Sequence, residues 1–437
     1  MTMSNDASAK PNPWALIPFL VFAVFYVGLS VSAGDFYKVP MPIAFIIASA
    51  VALMFGRRPL AERIESHAAG MGETNIMIMC LIFILAGAFA CIAKGSGAVE
   101  AAVTIARALV PARLMLAGVF LISCFISLAI GTSCGTIAAV TPIALGFAAP
   151  LGISPALLVG AVIGGAMFGD NLSMISDTTI AATRTQRCAM RDKFFANIGI
   201  AAPAALVCFV VYAFVGASQG TGAVEAVTVT WRHGLLVLPY IFILVLALVG
   251  LNVMMLLFSG TLLAAVIGIA LRKIDLWGSL DLLGTGALGM SETLIVAILA
   301  GGLFRTIQEN GGILWLTTRI ARLIRGPRTC ELGVFLLVSV INLFTANNTV
   351  ALVIAGPIAR ACSLKFGANP VRIASVLDTA SCVVQGMIPY GAQILIAIGI
   401  AKTAQVQLDS LGLVSCLYYP PLLAIAVFVT MAFRRRR

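Results

Sequence analysis

Apolar runs long enough to cross a lipid bilayer recur along the chain, from Trp14 to Phe433. The hydrocarbon core of a membrane is about 30 Å thick, which a helix spans with about 20 residues. Only 10% of the 437 residues are charged and 61% are hydrophobic, whereas a soluble domain carries about a quarter charged residues. This chain has too little charge to clothe a water-facing surface, so lipid must be its solvent. A β-barrel would need short alternating strands with polar lumen-facing residues, and the Leu, Ile, Val, Ala and Phe runs here are long and unbroken. The fold class is therefore all-α, a polytopic membrane helix bundle.

Hydropathy predicts spans at 14–32, 42–56 and 76–93, then an amphipathic stretch at 98–110. Runs 114–130 and 137–149 follow, separated by the polar cluster Gly131-Thr132-Ser133-Cys134-Gly135-Thr136. Run 156–182 is interrupted at Gly169-Asp170-Asn171, and 194–215, 235–249, 253–271 and 292–307 come next. A second amphipathic stretch at 313–324 precedes 332–344 and 350–361, which are split by Thr345-Ala346-Asn347-Asn348-Thr349. Run 372–401 is broken around Gln385-Gly386 and Pro389-Tyr390-Gly391, and 411–433 is last.

The chain repeats itself. Arg113, Gly118, Val119, Phe120, Leu121, Ile126, Leu128, Pro142, Ile143 and Ala144 each find the same residue 215 positions later, without a gap. With one residue of slip, Ile84-Leu85-Ala86-Gly87 echoes Ile298-Leu299-Ala300-Gly301. The expected division is a tail with two peripheral helices (1–74), a first repeat (75–217), connecting helices (218–290), a second repeat (291–433) and a basic tail (434–437). Each repeat holds a hairpin (114–149 and 332–361) and a broken helix (156–182 and 372–401).

The net charge of +11 comes from basic residues between apolar runs and at the extreme C-terminus. That distribution fits the positive-inside rule rather than a nucleic-acid patch. Residues 1–13 show no basic n-region or small-residue cleavage site, so the first run reads as a retained helix. Both termini, Arg57, Arg58 and Arg63, the stretch Arg184, Arg187, Arg191 and Lys193, and the stretch Arg319 to Arg328 go to the cytoplasm of a bacterial inner membrane. This placement requires 114–149 and 332–361 to enter and leave on one side, as re-entrant hairpins from opposite faces. About 10–11 spans plus two such hairpins result. Inverted repeats of this kind are an architecture of secondary transporters. Arg272 and Lys273 fall on the outer side and run against the rule.

Polar residues gather at matching interruptions of both halves. Thr132, Ser133 and Thr136 correspond roughly to Asn347, Asn348 and Thr349, and both clusters fall at hairpin tips. Bare backbone is tolerated at membrane depth only where it is buried in protein or lines a cavity. Hydroxyl, amide and freed carbonyl oxygens there are hard ligands for an alkali cation. Ser, Thr and Asn also serve as glue between membrane helices, and it is their pairing at repeat-related positions that favours a site.

Asp170 and Asp177 lie deep in an apolar stretch, seven apart, so they share a face if the segment is helical throughout. Asp378 occupies the corresponding region of the second half. An ionised carboxylate in hydrocarbon costs several kcal/mol, about 3 on insertion scales, so it must be neutralised. An acid that holds a proton or a cation but not both performs exchange directly. The competing readings are that Asp170 caps a half-helix and that Asp177 pairs with Arg184. Ser173 and Ser176 lie beside these acids. Glu73 and Glu292 read as helix N-terminal partners, Lys94 as a snorkelling or capping residue, and Arg305 with Glu309 as an i,i+4 pair.

Ten scattered cysteines without a Cys-x-x-Cys pair, and only two histidines, argue against thiolate metal sites and disulfide scaffolds. A phosphate-cradling Gly-x-x-x-x-Gly-Lys motif is missing, as is any Ser/His dyad or His-Glu-x-x-His motif. The expectation is a non-enzyme without cofactors, whose cargo is carried rather than retained.

Gly131-Thr-Ser-Cys-Gly-Thr-Ile-Ala-Ala-Val-Thr-Pro-Ile-Ala144, Gly169-Asp-Asn-Leu-Ser-Met-Ile-Ser-Asp-Thr-Thr179, Ala346-Asn-Asn-Thr-Val-Ala-Leu-Val-Ile-Ala-Gly-Pro-Ile-Ala359 and Gln385-Gly-Met-Ile-Pro-Tyr-Gly-Ala-Gln393 resemble the NhaC-type sodium/proton antiporters, within the ion transporter superfamily. The likeness covers roughly residues 75–400. It implies two inverted repeats, each with a re-entrant hairpin and a broken helix. Where many relatives have a basic residue after Gly-Asp, this chain has Asn171. The resemblance implies Na+/H+ exchange by alternating access. Asp170, Asp177 and Asp378 would exchange ions, and Ser173, Ser176, Thr132, Ser133, Asn347, Asn348 and Thr349 would supply neutral oxygens. Na+- or H+-coupled movement of a small organic acid or amino acid is the alternative. A channel fits less well, because channels are usually symmetric oligomers. A homodimer is compatible with such a scaffold.

Overall fold

The computed structural model describes residues 10–33, 39–54, 56, 58–219, 228–249 and 251–433. Residues 1–9, Arg57 and the basic tail 434–437, which enter the charge argument, lie outside the described residues. Among the described residues every regular element is helical. Ten helical stretches are long and apolar enough to cross a bilayer, and four shorter apolar helices join them.

The two halves superimpose residue for residue at their turns. The first hairpin consists of Met115–Ile130 and Ser133–Gly146, the second of Pro327–Thr345 and Asn348–Phe366. Gly131 (φ 74°) ends the first arm of one hairpin and Ala346 (φ 47°), 215 residues on, ends that of the other. Each second arm closes on a left-handed glycine, Gly152 and Gly367, both at φ 65°. A proline then opens the broken helix, Pro155 after Ser154 and Pro370 after Asn369, where its missing N–H costs nothing. The first broken helix is Pro155–Leu172 and Asp177–Gln186, the second Pro370–Met387 and Ala392–Thr403. Hairpin and helix are tied at equivalent places: Ser127 donates to the carbonyl of Ala166 (2.6 Å) and Asn342 to that of Ser381 (2.9 Å).

The repeats are inverted. Thr74–Gly95 leads into the first hairpin and Leu276–Glu309 into the second. These lead helices touch backbone to backbone at Gly87 and Gly286, Ile76 lies against Gly301, and Leu282 against Gly95. Numbers rise along one helix as they fall along the other, so the pair is antiparallel and its ends reach opposite faces. Each lead helix is followed by a glycine at φ 83°, Gly97 and Gly311, and a short amphipathic helix, Ala98–Leu109 and Gly312–Ala321. The two hairpins therefore enter from opposite sides. Each second arm packs against the C-terminal half of the other repeat's broken helix: Ser133–Gly146 on Ala392–Thr403, and Asn348–Phe366 on Asp177–Gln186.

Four sequence expectations change. The first break falls at 173–176, not at Gly169-Asp170-Asn171. Gly169 stays helical because its bare Cα presses on the hairpin; a Cβ there would lie 2.4 Å from the Leu128 nitrogen. The second break, 388–391, follows from Pro389, which cannot donate and biases Ile388 away from helix. Residues 276–289, not predicted as a span, form a helix capped by Asp275 that continues into Ser291–Glu309. The last run is two helices, Ser410–Ser415 and Tyr419–Ala432. Lys193, assigned to a cytoplasmic loop, lies fully buried within Met190–Gln219.

Candidate functional site

The two hairpin tips and the two helix breaks meet around a cavity of about 140 Å³. Thr132, Ser133, Asp170, Ser176, Asp177, Asn347, Asn348 and Thr349 line it, together with Gln385 and Gln393. Ser173 does not; its buried hydroxyl accepts from the Ile175 amide at 3.3 Å. Asp378 does not line it either.

Asp170 is 3% exposed, in the last turn of Pro155–Leu172. Ser133 donates to one oxygen at 2.7 Å and Ser176 to the other at 2.5 Å. Ser133 in turn accepts from Gln393 (3.0 Å), whose Oε1 accepts from Gln385 (2.8 Å), and Gln385 also donates to the Ala346 carbonyl at 2.9 Å. This chain of bonds runs from one hairpin tip to the other, and Gln385 Oε1 is buried without a partner. Asp170 caps nothing. Ser176 is the N-cap of the second segment, accepting from the Thr178 amide at 3.3 Å.

Asp177 stands on the other side of the break from Asp170, so the two do not share a helix face. It is exposed, in the first turn of Asp177–Gln186, where the helix dipole favours a negative charge. No ion pair to Arg184 forms among the described residues. At the tips, Asn347 caps its helix by accepting from the Val350 amide at 3.0 Å, and Asn348 accepts from the Thr349 amide at 3.0 Å. Thr136, grouped with the first tip, instead donates to the Thr132 carbonyl at 3.1 Å.

Behind the cavity lies a second polar cluster. Asp378, fully buried, is ion-paired with the equally buried Lys193. Asn171 and Asn197 each donate to the same Asp378 oxygen at 3.4 Å. The flanking charges behave as read from sequence: Glu73 caps Thr74–Gly95, Lys94 donates to the Ala404 carbonyl, and Arg305 pairs with Glu309 at 2.7 Å. Glu292 pairs with Lys402 at 2.8 Å.

Sequence reasoning missed Gln385, Gln393, Thr178, Lys193 and Asn197. One of them had a signal: Gln385 lies 215 residues after Asp170, so the repeat register makes it the counterpart of Asp170, and Asp378 the counterpart of Ile163. Lys193 had none, since Arg191 and Asp192 beside it make it look like part of a charged loop.

Residues 12–217 and 219–433 match the Na+/H+ antiporter family. The malate-2H+/Na+-lactate antiporter of Bacillus subtilis is 21% identical over 406 residues, 86% of each chain. The Na+/H+ antiporter NhaC of the same organism is 30% identical over 193 residues, 42% of this chain and 40% of that protein. Among solved structures, the YdaH transporter of Alcanivorax borkumensis aligns with 80% of this chain and 84% of its own, at 14% identity and a TM-score of 0.39. With the family matched on both sides of residue 218, the chain belongs to the Na+/H+ antiporter family, whose members are membrane transporters rather than enzymes.

Proposed function

We propose that this protein exchanges Na+ for protons by alternating access, with Asp170 as the carboxylate for which the two ions compete. The observation that carries this reading is the composition of the cavity. Two carboxylates, Asp170 and Asp177, and a ring of hydroxyl and amide oxygens line it, with no Lys, Arg or His among the described residues in its wall. An organic acid would need a cationic partner there. The volume of about 140 Å³ is also below the roughly 300 Å³ at which pockets for organic ligands begin.

Asp170 is buried, with hydroxyl partners but no ion pair. Buried charges need a partner, so a loaded Asp170 holds either H+ or Na+. Ser133, Ser176, Gln385 and Gln393 would supply neutral oxygens. Asp177, exposed at the cavity, would attract cations towards Asp170, with Thr132, Asn347, Asn348 and Thr349 lining the approach.

Purified protein in liposomes carrying a trapped pH dye tests the proposal. Adding Na+ outside should change lumenal pH without an organic solute, and Asp170→Asn should abolish the change while inserting normally. If pH stays flat until malate or lactate is supplied, the protein is an organic-acid exchanger. That second reading is favoured by the malate/lactate antiporter's alignment over 86% of this chain.

We also infer that both termini face the cytoplasm of a bacterial inner membrane. Arg58, Arg184, Arg187, Arg319, Arg322, Arg325 and Arg328 then share the cytoplasmic face, with Arg272 and Lys273 opposite. A fluorescent protein that folds only in the cytoplasm, fused after Arg437, should fluoresce.

A further inference from the structure

The Lys193–Asp378 pair is set apart from the cavity and has no exposure on either side chain. An ammonium group has three N–H donors, and all three of Lys193 are engaged. One goes to Asp378 Oδ2, one to the Asn171 carbonyl at 2.7 Å and one to Thr179 Oγ1 at 2.8 Å. The Asn171 carbonyl belongs to the last turn of Pro155–Leu172, where the helix dipole favours a cation. A carboxylate, a helix C-terminus and a hydroxyl thus hold one protonated amine. Asp378 Oδ1 meets no donor, so Lys193 is the counter-charge of this carboxylate among the described residues.

Asp170 is built differently. Its oxygens take hydroxyl hydrogen bonds and face the cavity. A lone carboxylate in a low-dielectric interior must be neutralised by something that comes and goes, whereas Asp378 is neutralised by a side chain that cannot leave.

We infer that Lys193 is a resident cation that withdraws Asp378 from exchange, so that each turnover carries one Na+ against one proton, both on Asp170, and moves no net charge. The inference rests on the antiport reading and specifies its stoichiometry. The charges balance: Asp170 carries −1 when empty and zero when holding either ion. The Lys193–Asp378 pair sums to zero throughout, and Asp177 stays in contact with cavity water.

The test is a balance-point measurement in proteoliposomes, with membrane voltage set by K+ and valinomycin. The Na+ gradient that just cancels a given pH gradient is found at zero voltage and again at a negative voltage. A tenfold Na+ gradient should balance one pH unit at both. A balance point that moves with voltage, or that requires two protons per Na+, overturns the inference. If Na+ drives no proton movement at any gradient, the antiport reading itself fails. Lys193→Gln supplies a second readout. Without its cation Asp378 takes up a proton of its own, and the balance point shifts towards two protons per Na+ and becomes voltage-dependent. A variant that still exchanges with an unshifted balance point refutes the role of Lys193, and if the variant fails to fold, the wild-type measurement decides.

Discussion

Asp170 and Gln385 stand 215 residues apart, at equivalent places in the two broken helices, and each is bonded to the hairpin tip of its own half. Asp170 accepts from Ser133 at 2.7 Å, and Gln385 donates to the Ala346 carbonyl at 2.9 Å. The repeat has kept the position and changed the chemistry: one half presents a carboxylate, the other an amide of similar reach. An inverted pair with one acid has one centre that must be neutralised and a mirror position that can supply a neutral oxygen.

Gln385 Oε1 is the buried acceptor that lacks a partner beside the cavity. If it ligands the cation, Gln385→Ala should raise the Na+ concentration for half-maximal exchange by about tenfold, the equivalent of about 1.4 kcal/mol, the scale of one good hydrogen bond. The maximal rate should change much less. Initial rates of lumenal pH change against Na+ concentration would reveal this. An unchanged Na+ dependence would remove Gln385 from the ion's surroundings.

The hairpin tips were legible because polar clusters separated apolar arms at one register in both halves, and the structure puts Thr132 and Asn347 at the matching turns. The helix breaks were only half legible. Pro389 announces its break by removing an N–H, whereas Gly169 looks like a breaker and is a packing glycine, so the true break after Leu172 depends on the Ser176 cap. Residues 276–289 hid because Gly278, Gly284, Gly286 and Gly289 weaken helix propensity, and contact with Thr74–Gly95 outweighs that. Burial of Lys193 was illegible because a buried lysine and a loop lysine are the same letter; only its tertiary partners tell them apart.

The antiparallel contact of the lead helices makes a sharp prediction about packing. A Cβ on Gly286 would lie 2.3 Å from the Gly87 carbonyl oxygen and 2.8 Å from the Ala88 Cα, backbone atoms that cannot step aside. Gly286→Ala should push the helices apart and cost about 1–3 kcal/mol, the usual range for overpacking, lowering the thermal midpoint in detergent. Gly284→Ala, two residues away with nothing within 4 Å of its Cβ, is the control and should be neutral or slightly stabilising. Equal behaviour of the two variants would rule out the close approach.

Ala346 holds the second hairpin tip at φ 47°, in the left-handed region where the first tip has Gly131. An alanine pays roughly 1–2 kcal/mol for that conformation, and a glycine's larger unfolded-state entropy returns part of any gain. Ala346→Gly should therefore raise the thermal midpoint modestly. Gly131→Ala should lower it more, because its Cβ would also press within 2.6 Å of Ile175 Cγ1. A lowered midpoint for Ala346→Gly would mean that the tip is not strained.

His67 ties the short helix Leu60–Met71, outside the spanning segments, to Ser291–Glu309. The imidazole is buried, its Nδ1 lies 2.9 Å from Thr306 Oγ1, and the ring packs over Gly302. Burial pushes its pKa below the ordinary histidine value. Well above that ordinary value, about 6.5, the ring is neutral whether the chain is folded or not, and its packing contributes in full. As pH falls through it, the unfolded chain binds a proton that the folded ring resists, so stability is lost towards lower pH. His67→Gln keeps a hydrogen-bonding group for Thr306 but cannot titrate in this range. Between pH 7 and pH 5 the thermal midpoint of the wild type should fall more steeply than that of His67→Gln. Parallel slopes would mean that the ring takes its proton as readily in the folded protein as in the unfolded chain.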